Sequence, residues 1–133
     1  MTPQGSELAY PRARIPIACR AAGLVPPLDS PFMLDIKDPD AVAADAEKAK
    51  ALGFQGKLCV HPVQVAPCNA VFSPTPEEID HARRVIEAFE EAESKGVGVI
   101  QLEGRFIDPP VADRARRTLT LARMIGADQD NRR

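Results

Sequence analysis

Apolar residues return along this chain at helical spacing in three places. Val42, Ala46, Ala49 and Leu52 recur every three or four positions between Pro39 and Leu52, a narrow stripe that predicts an amphipathic helix. Asp38 stands at its N-cap, Pro39 at its first position, and Gly53 closes it. Ile79, Ala82, Val85, Ile86, Phe89 and Ala92 repeat in the same way after SPTPEE. There Thr75, Pro76 and Glu78 have the spacing of a capping box. Asp80 with Arg84, and Glu91 with Lys95, stand four apart on the polar face as ion pairs. A last helix is predicted over Pro109 to Ile125, with Val111, Ala115, Leu119, Ala122 and Met124 or Ile125 inward.

Shorter apolar runs lie between these. PFMLDI, residues 31 to 36, reads as a buried strand, and VPPLDS before it as a turn. GKLCVHP, 56 to 62, is a second strand, centred on 57 to 61. Strand, helix and strand with short loops predict a βαβ unit with a parallel pair, and parallel strands are covered on both faces. VGVIQLEGRFI reads as an extended segment turning at Glu103-Gly104. A first helix is predicted from Glu7 to Ala22, ended by Gly23. Pro16 costs it roughly 3 kcal/mol, so a kink, or a start only near Pro16, is expected.

Composition narrows the picture. The chain has 133 residues, a formal charge of −2, 44% hydrophobic and 27% charged residues. That is a globular composition with no bulk field for nucleic acid or an anionic membrane. No apolar run approaches the roughly 18 residues of a membrane span, and MTPQGSELAY lacks the core of a secretory signal. The 13 prolines are about twice the average usage and punctuate segments. Cys19, Cys59 and Cys68 are odd in number and dispersed, which predicts reduced thiols of a cytoplasmic protein without redox or zinc chemistry. Arg132 and Arg133 read as a frayed tail.

Three motifs occur in order: GFxGKxxxHPxQ, xFSPTxEE and GRxIDxP. They are carried by GFQGKLCVHPVQVAPCNAVFSPTPEEIDHARRVIEAFEEA and GVIQLEGRFIDPPVADRARR. With LAYPRARIPIACRAAGL and FMLDIKDPDAVAADAEKAKALGF upstream, the chain resembles the C-terminal part of the citrate lyase β-subunit-like proteins. These belong to the HpcH/HpaI aldolase superfamily, with malyl-CoA and citramalyl-CoA lyases. The likeness runs from about Thr2 to Ile125; HPVQV departs from the commoner HPSQI, and Pro11 and Pro16 stand where the family has helix formers.

The resemblance implies an α/β fold: the last two strands and helices of a TIM (β/α)8 barrel over residues 1–72, and a helical lid or oligomerisation extension over 73–133. It also implies Mg²⁺, an acyl-CoA or short keto-acid substrate, and cleavage or formation of (3S)-malyl-, citramalyl- or citryl-CoA-type thioesters through an enolate. The family's metal-binding Glu and Asp and its substrate-binding Arg precede the part matched. A complete barrel needs about 250 residues, so a truncated product, or one part of a larger assembly, inactive alone, is expected. Association with an N-terminal half, or a homo-oligomer, would supply the missing wall.

Asp108 heads the candidate residues. Asp before a proline at N1 is an ordinary helix start. By resemblance the same Asp lies on an extension over a neighbouring subunit's active site and acts in proton transfer. His61 and Asp35 are expected at the C-terminal ends of barrel strands, where functional residues collect. Gln64 is a candidate for backbone or substrate, and Arg105 for a CoA phosphate. Lys57 reads as a solvated lysine at the barrel bottom or a partner of Asp35 or Asp38, and His81 as a surface residue. The alternative reading is a non-catalytic interaction or regulatory subunit that pairs with a lyase barrel. A keto-acid aldolase without CoA is a third, against which the IDxP extension speaks.

Overall fold

The computed structural model describes Thr2 and residues 5–126; Arg132 and Arg133 lie outside the described residues. The chain divides into two compact units, Met1–Phe72 and Ser73–Arg133. The architecture is mixed α/β, with two small two-stranded sheets.

The first unit opens with a short 3₁₀ turn, Ser6–Leu8, and helix α1, Ala9–Ala21. It continues with strand β1 (Leu28–Asp29), helix α2 (Pro39–Leu52), strand β2 (Gly56–Lys57) and helix α3 (Val65–Phe72). β1 and β2 pair in parallel, Leu28 opposite Gly56 and Asp29 opposite Lys57. The βαβ unit expected from the pattern is present, but its first strand lies earlier than predicted. Residues 31–36 are not a strand: Pro31 brings no N–H to a ladder, and the segment ends in a turn closed by Asp38 N–H on the Asp35 carbonyl (3.3 Å). The strand falls instead within VPPLDS, where Gln55 N–H donates to Pro27 O (3.1 Å) and Leu58 N–H to Asp29 O (3.0 Å).

α2 obeys its sequence signals. Asp38 accepts from the Asp40 and Ala41 N–H groups, and Gly53 ends the helix at φ 101°. Val42 and Ala46 are buried with Cys68 of α3, and Phe32, Val71 and Phe72 pack around them. α1 runs unbroken through Pro16 and does not begin there. Arg12, one turn before Pro16, is anchored by two carboxylates of other elements, which holds the first half of the helix in line. α1 buries no residue. Leu28, Leu58 and Val60 beside the parallel pair stay more than half exposed, so this sheet lacks the two-sided cover that parallel strands normally have.

The second unit comprises α4 (Pro76–Ser94), a hairpin of β3 (Ile100–Leu102) and β4 (Arg105–Ile107), and α5 (Pro109–Met124). The Thr75–Glu78 capping box forms in both directions (2.9 and 3.2 Å). The hairpin turns where expected, with Glu103 and Gly104 both at positive φ, 50° and 78°. This is the backbone a two-residue primed turn demands. Ile79, Ala82, Val85 and Phe89 of α4 pack on Ile107 and on Ala112, Ala115, Leu119 and Ala122 of α5. Met124 and Ile125, one of them expected inward, are 79% and 47% exposed, because the buried stripe of α5 ends at Ala122. Asp80 pairs with Arg83 (3.0 Å), while Arg84 reaches Glu103 of the hairpin turn (3.2 Å). The Glu91–Lys95 pair forms as read (2.6 Å).

Phe89 is 2% exposed at the centre of this core. Phe89→Ala is expected to destabilise the unit by about 3–5 kcal/mol, read as a lower urea midpoint at unchanged m-value.

Candidate functional site

Four charged side chains, from four different elements, converge in the first unit. Lys57 Nζ of β2 contacts Asp29 Oδ2 of β1 and Asp45 Oδ2 of α2, both at 2.6 Å. It also donates to the Ser30 carbonyl at 2.7 Å. Arg12 of α1 reaches Asp29 Oδ2 at 2.6 Å and Asp45 Oδ1 at 3.1 Å. The Lys57 and Asp29 side chains are 1% and 3% exposed. Two cations and two carboxylates make the group neutral, so each buried charge has partners of opposite sign.

The ionisation follows. Burial is the largest influence on Arg12 and opposes its charge. The hydrogen bond to Asp29 and the attraction of Asp45 and Asp29 outweigh it, and the guanidinium is held above its ordinary range. Burial likewise pushes against the Asp45 carboxylate. The hydrogen bond and charge of Lys57, with the charge of Arg12, prevail and hold Asp45 below the usual carboxylate range. Arg12 Nε finds no partner among the described residues. The adjoining cleft, lined by residues that include Leu8, Ser30, Phe32 and Leu34, has about 30 Å³ of free volume, enough to admit water.

This cluster was not read from the sequence. Asp29 hides in a stretch taken as a turn. Asp45 did leave a signal: it stands one turn from both Val42 and Ala49 on the inward side of α2. Lys57 is not a solvated lysine, and its partners are Asp29 and Asp45 rather than Asp35 or Asp38, because the parallel register sets it opposite Asp29.

Past β2, His61 caps a 3₁₀ turn, Pro62–Gln64, its Nδ1 accepting from Val63 N–H at 3.2 Å. Gln64 is 1% exposed. Its Oε1 accepts from Val60 N–H (2.9 Å) and its Nε2 donates to Phe32 O (2.8 Å). The side chain thus ties the segment after β2 to the segment after β1. Asp35 does not end a strand; it is exposed in the turn before α2, since the strand closes at Asp29.

In the second unit Asp108 caps α5, its Oδ1 accepting from Val111 N–H at 3.1 Å. It is half-buried directly after buried Ile107. Its Oδ2 has no hydrogen bond among the described residues. Arg105 is exposed on β4. His81 lies partly exposed on α4, its Nδ1 3.7 Å from Glu103 Oε2 and beyond hydrogen-bond reach, while Arg84 links the hairpin turn to α4.

Among the described residues, no three His, Cys, Asp or Glu side chains form a group that could hold a metal ion. The buried carboxylate Asp29 and the partly buried Asp45 are each occupied by two cations. This donor set does not fit Mg²⁺. Among the same residues, no helix is long and apolar enough to cross a membrane.

Comparison with known proteins agrees with the motifs. Residues 1–62 match the family model described as HpcH/HpaI aldolase/citrate lyase. The chain is 38% identical over 129 residues to citrate lyase subunit beta of Escherichia coli K12, covering 97% of this chain and 42% of that protein. The chain belongs to the HpcH/HpaI aldolase/citrate lyase family. It is also 44% identical over 91 residues to a (3S)-malyl-CoA thioesterase of Cereibacter sphaeroides, covering 68% of this chain and 32% of the relative. Its fold resembles CitE of Mycobacterium tuberculosis, crystallised with magnesium, acetoacetate and coenzyme A. The TM-score is 0.68 at 33% identity, over 84% of this chain and 39% of that one. The chain thus spans about two fifths of the length of CitE and the citrate lyase subunit.

Lys57→Met leaves Asp29 and Asp45 with one cation between them, and a cost of about 3–5 kcal/mol is expected, read by chemical denaturation. Asp45, depressed in the folded state, stabilises above the ordinary carboxylate pKa of about 3.9. That contribution is lost as pH falls through the lower folded value. In Lys57→Met the acid loss of stability is expected at higher pH than in the parent.

Proposed function

We propose that this chain supplies the C-terminal part of a carbon–carbon lyase acting on malyl-, citramalyl- or citryl-CoA-type thioesters. The observation that carries the reading is the 38% identity to a citrate lyase β subunit over 97% of the chain. The malyl-CoA thioesterase and the CoA-bound CitE support a thioester substrate. In this reading β1 and β2 are the last two strands of a (β/α)8 barrel, and the second unit is its extension. The exposed Leu28, Leu58 and Val60 then face the rest of the wall, and the chain alone is inactive.

Mg²⁺, with ligands from outside the described residues, would supply Lewis acidity. This chain's own contribution is a proton transfer. Breaking the carbon–carbon bond leaves a thioester enolate whose carbon takes up a proton; in the reverse direction that carbon loses one. Asp108 performs this transfer through Oδ2, while Oδ1 keeps its bond to Val111 N–H. The cap fixes the carboxyl direction, so that Oδ2 is the free oxygen for the transfer. Arg105 is open to a CoA phosphate. Gln64 and His61 hold the loops at the strand ends and so shape the substrate side. That no metal-holding group occurs among the described residues also suits a second reading, a non-catalytic subunit paired with a lyase barrel.

Two assays separate these. The purified chain with malyl-CoA or citramalyl-CoA and Mg²⁺ is expected to show no turnover; clear turnover removes the incomplete-barrel reading. Co-expressed with a chain carrying the remaining barrel strands, it is expected to turn over thioester. Asp108→Asn keeps a capping oxygen and removes the carboxylate. Turnover of the assembly is expected to drop by about 10²–10⁴-fold with substrate binding retained. Unchanged turnover leaves Asp108 only its cap, and no turnover by any assembly favours the non-catalytic subunit.

A further inference from the structure

The hairpin delivers a bare aromatic ring to the same face as Asp108. Ile107 is 2% exposed in the core of the second unit, and Phe106, one position earlier, is 76% exposed. Side chains alternate along a strand, so these two lie on opposite faces of the hairpin. Asp108 keeps an extended backbone, φ −122° and ψ 175°. That carries the alternation one step further and sets Asp108 on the face of Phe106. Two residues of extended chain separate them by about 7 Å. In the antiparallel register Ile100 stands opposite Ile107 and Gln101 opposite Phe106. Continued by one pair, that register brings Val99, 56% exposed, toward Asp108.

Packing does not account for Phe106. Ile107 and Ile100 make the contact of the hairpin with the core. Gln101, the cross-strand neighbour of Phe106, is itself exposed, so the pair shields little apolar surface. The outward face thus holds an exposed ring and a valine beside a carboxyl group whose Oδ1 is engaged by Val111 N–H.

We propose that Phe106 is a substrate-contact residue, its ring receiving the thioester sulfur and the methylenes next to it while Asp108 Oδ2 serves the reacting carbon. The proposal rests on the lyase reading of Asp108 and adds the part of the substrate that fixes that carbon. In a thioester, the carbon that gains or loses the proton is bonded to the thioester carbonyl, and the sulfur stands on the carbonyl's other side. A carboxylate oxygen about 3 Å from that carbon leaves the sulfur and its first methylenes within reach of a ring one strand repeat away. Sulfur beside an aromatic ring is favourable, and the methylenes gain by leaving water for the ring. A free keto acid has neither sulfur nor thiol arm, so this contact selects thioesters.

The test uses the assembly of this chain with one carrying the remaining barrel strands. Phe106→Ala is expected to raise KM for malyl-CoA by about 10–100-fold, more than it lowers kcat, as loss of a contact made before and during the reaction does. Phe106→Met, which keeps a polarisable apolar side chain, is expected to recover most of the loss. In the isolated chain Phe106→Ala is expected to leave the urea midpoint unchanged. The chain has no tryptophan, so Phe106→Trp gives a second readout. Compared with the parent assembly, its added emission is expected to shift to the blue with acetyl-CoA and to stay in place with acetate. Unchanged KM and emission, while Asp108→Asn still lowers kcat, overturn the Phe106 assignment alone. A lowered urea midpoint in Phe106→Ala makes the ring structural and overturns it too. An Asp108→Asn assembly with parental turnover removes the reading of Asp108, and the Phe106 assignment falls with it.

Discussion

The first unit depends on one buried constraint, the neutral quartet of Arg12, Asp29, Asp45 and Lys57. Each member comes from a different element: α1, β1, α2 and β2. A quartet of this kind adds little net stability over a well-packed apolar substitute, because desolvation offsets much of the Coulombic gain. Its effect is on geometry. Lys57 lies opposite Asp29 in the parallel ladder, and a one-residue slip would turn one of them out of the cluster. The quartet therefore specifies register where the strands are only two residues long and have little ladder of their own. It also fastens α1, which buries no residue, through Arg12.

The same arrangement bears on function. The acidic residues nearest the sheet are spent on structure, so the metal chemistry of the family is not served by them. The side chains past β2 are spent in a similar way. Gln64 holds two backbone groups and His61 a third. These residues shape and stiffen the ends of the strands. Asp108 is different, since its cap uses one oxygen and leaves the other without a partner among the described residues. A hairpin is marginal by itself, and here Glu103 is held by Arg84 of α4. That anchoring steadies the strand that delivers Asp108.

The comparisons place the chain within a family while covering about two fifths of its relatives' length. Leu28, Leu58 and Val60 beside β1 and β2 remain exposed. Two parallel strands joined by one helix are a recognisable portion of an α/β architecture, and one helix cannot cover both faces of the sheet.

What the sequence determined by itself was local. The helix starts at Asp38, Thr75 and Asp108, the stops at Gly23 and Gly53, the apolar stripes of α2 and α4, and the Glu103-Gly104 turn all follow from interactions within about one helical turn, where identity and spacing suffice. The motif strings carried the family, and with it the proposal for Asp108. The tertiary structure decided what depends on residues distant in the chain. The first strand was misplaced because Asp29, a polar residue in a proline-rich stretch, becomes a strand position only when paired with Gly56-Lys57 and neutralised by Lys57 and Arg12. The pairing of Lys57 with Asp45 was hidden for the same reason: burial and pairing of polar side chains are set by which elements pack together, which no local pattern encodes.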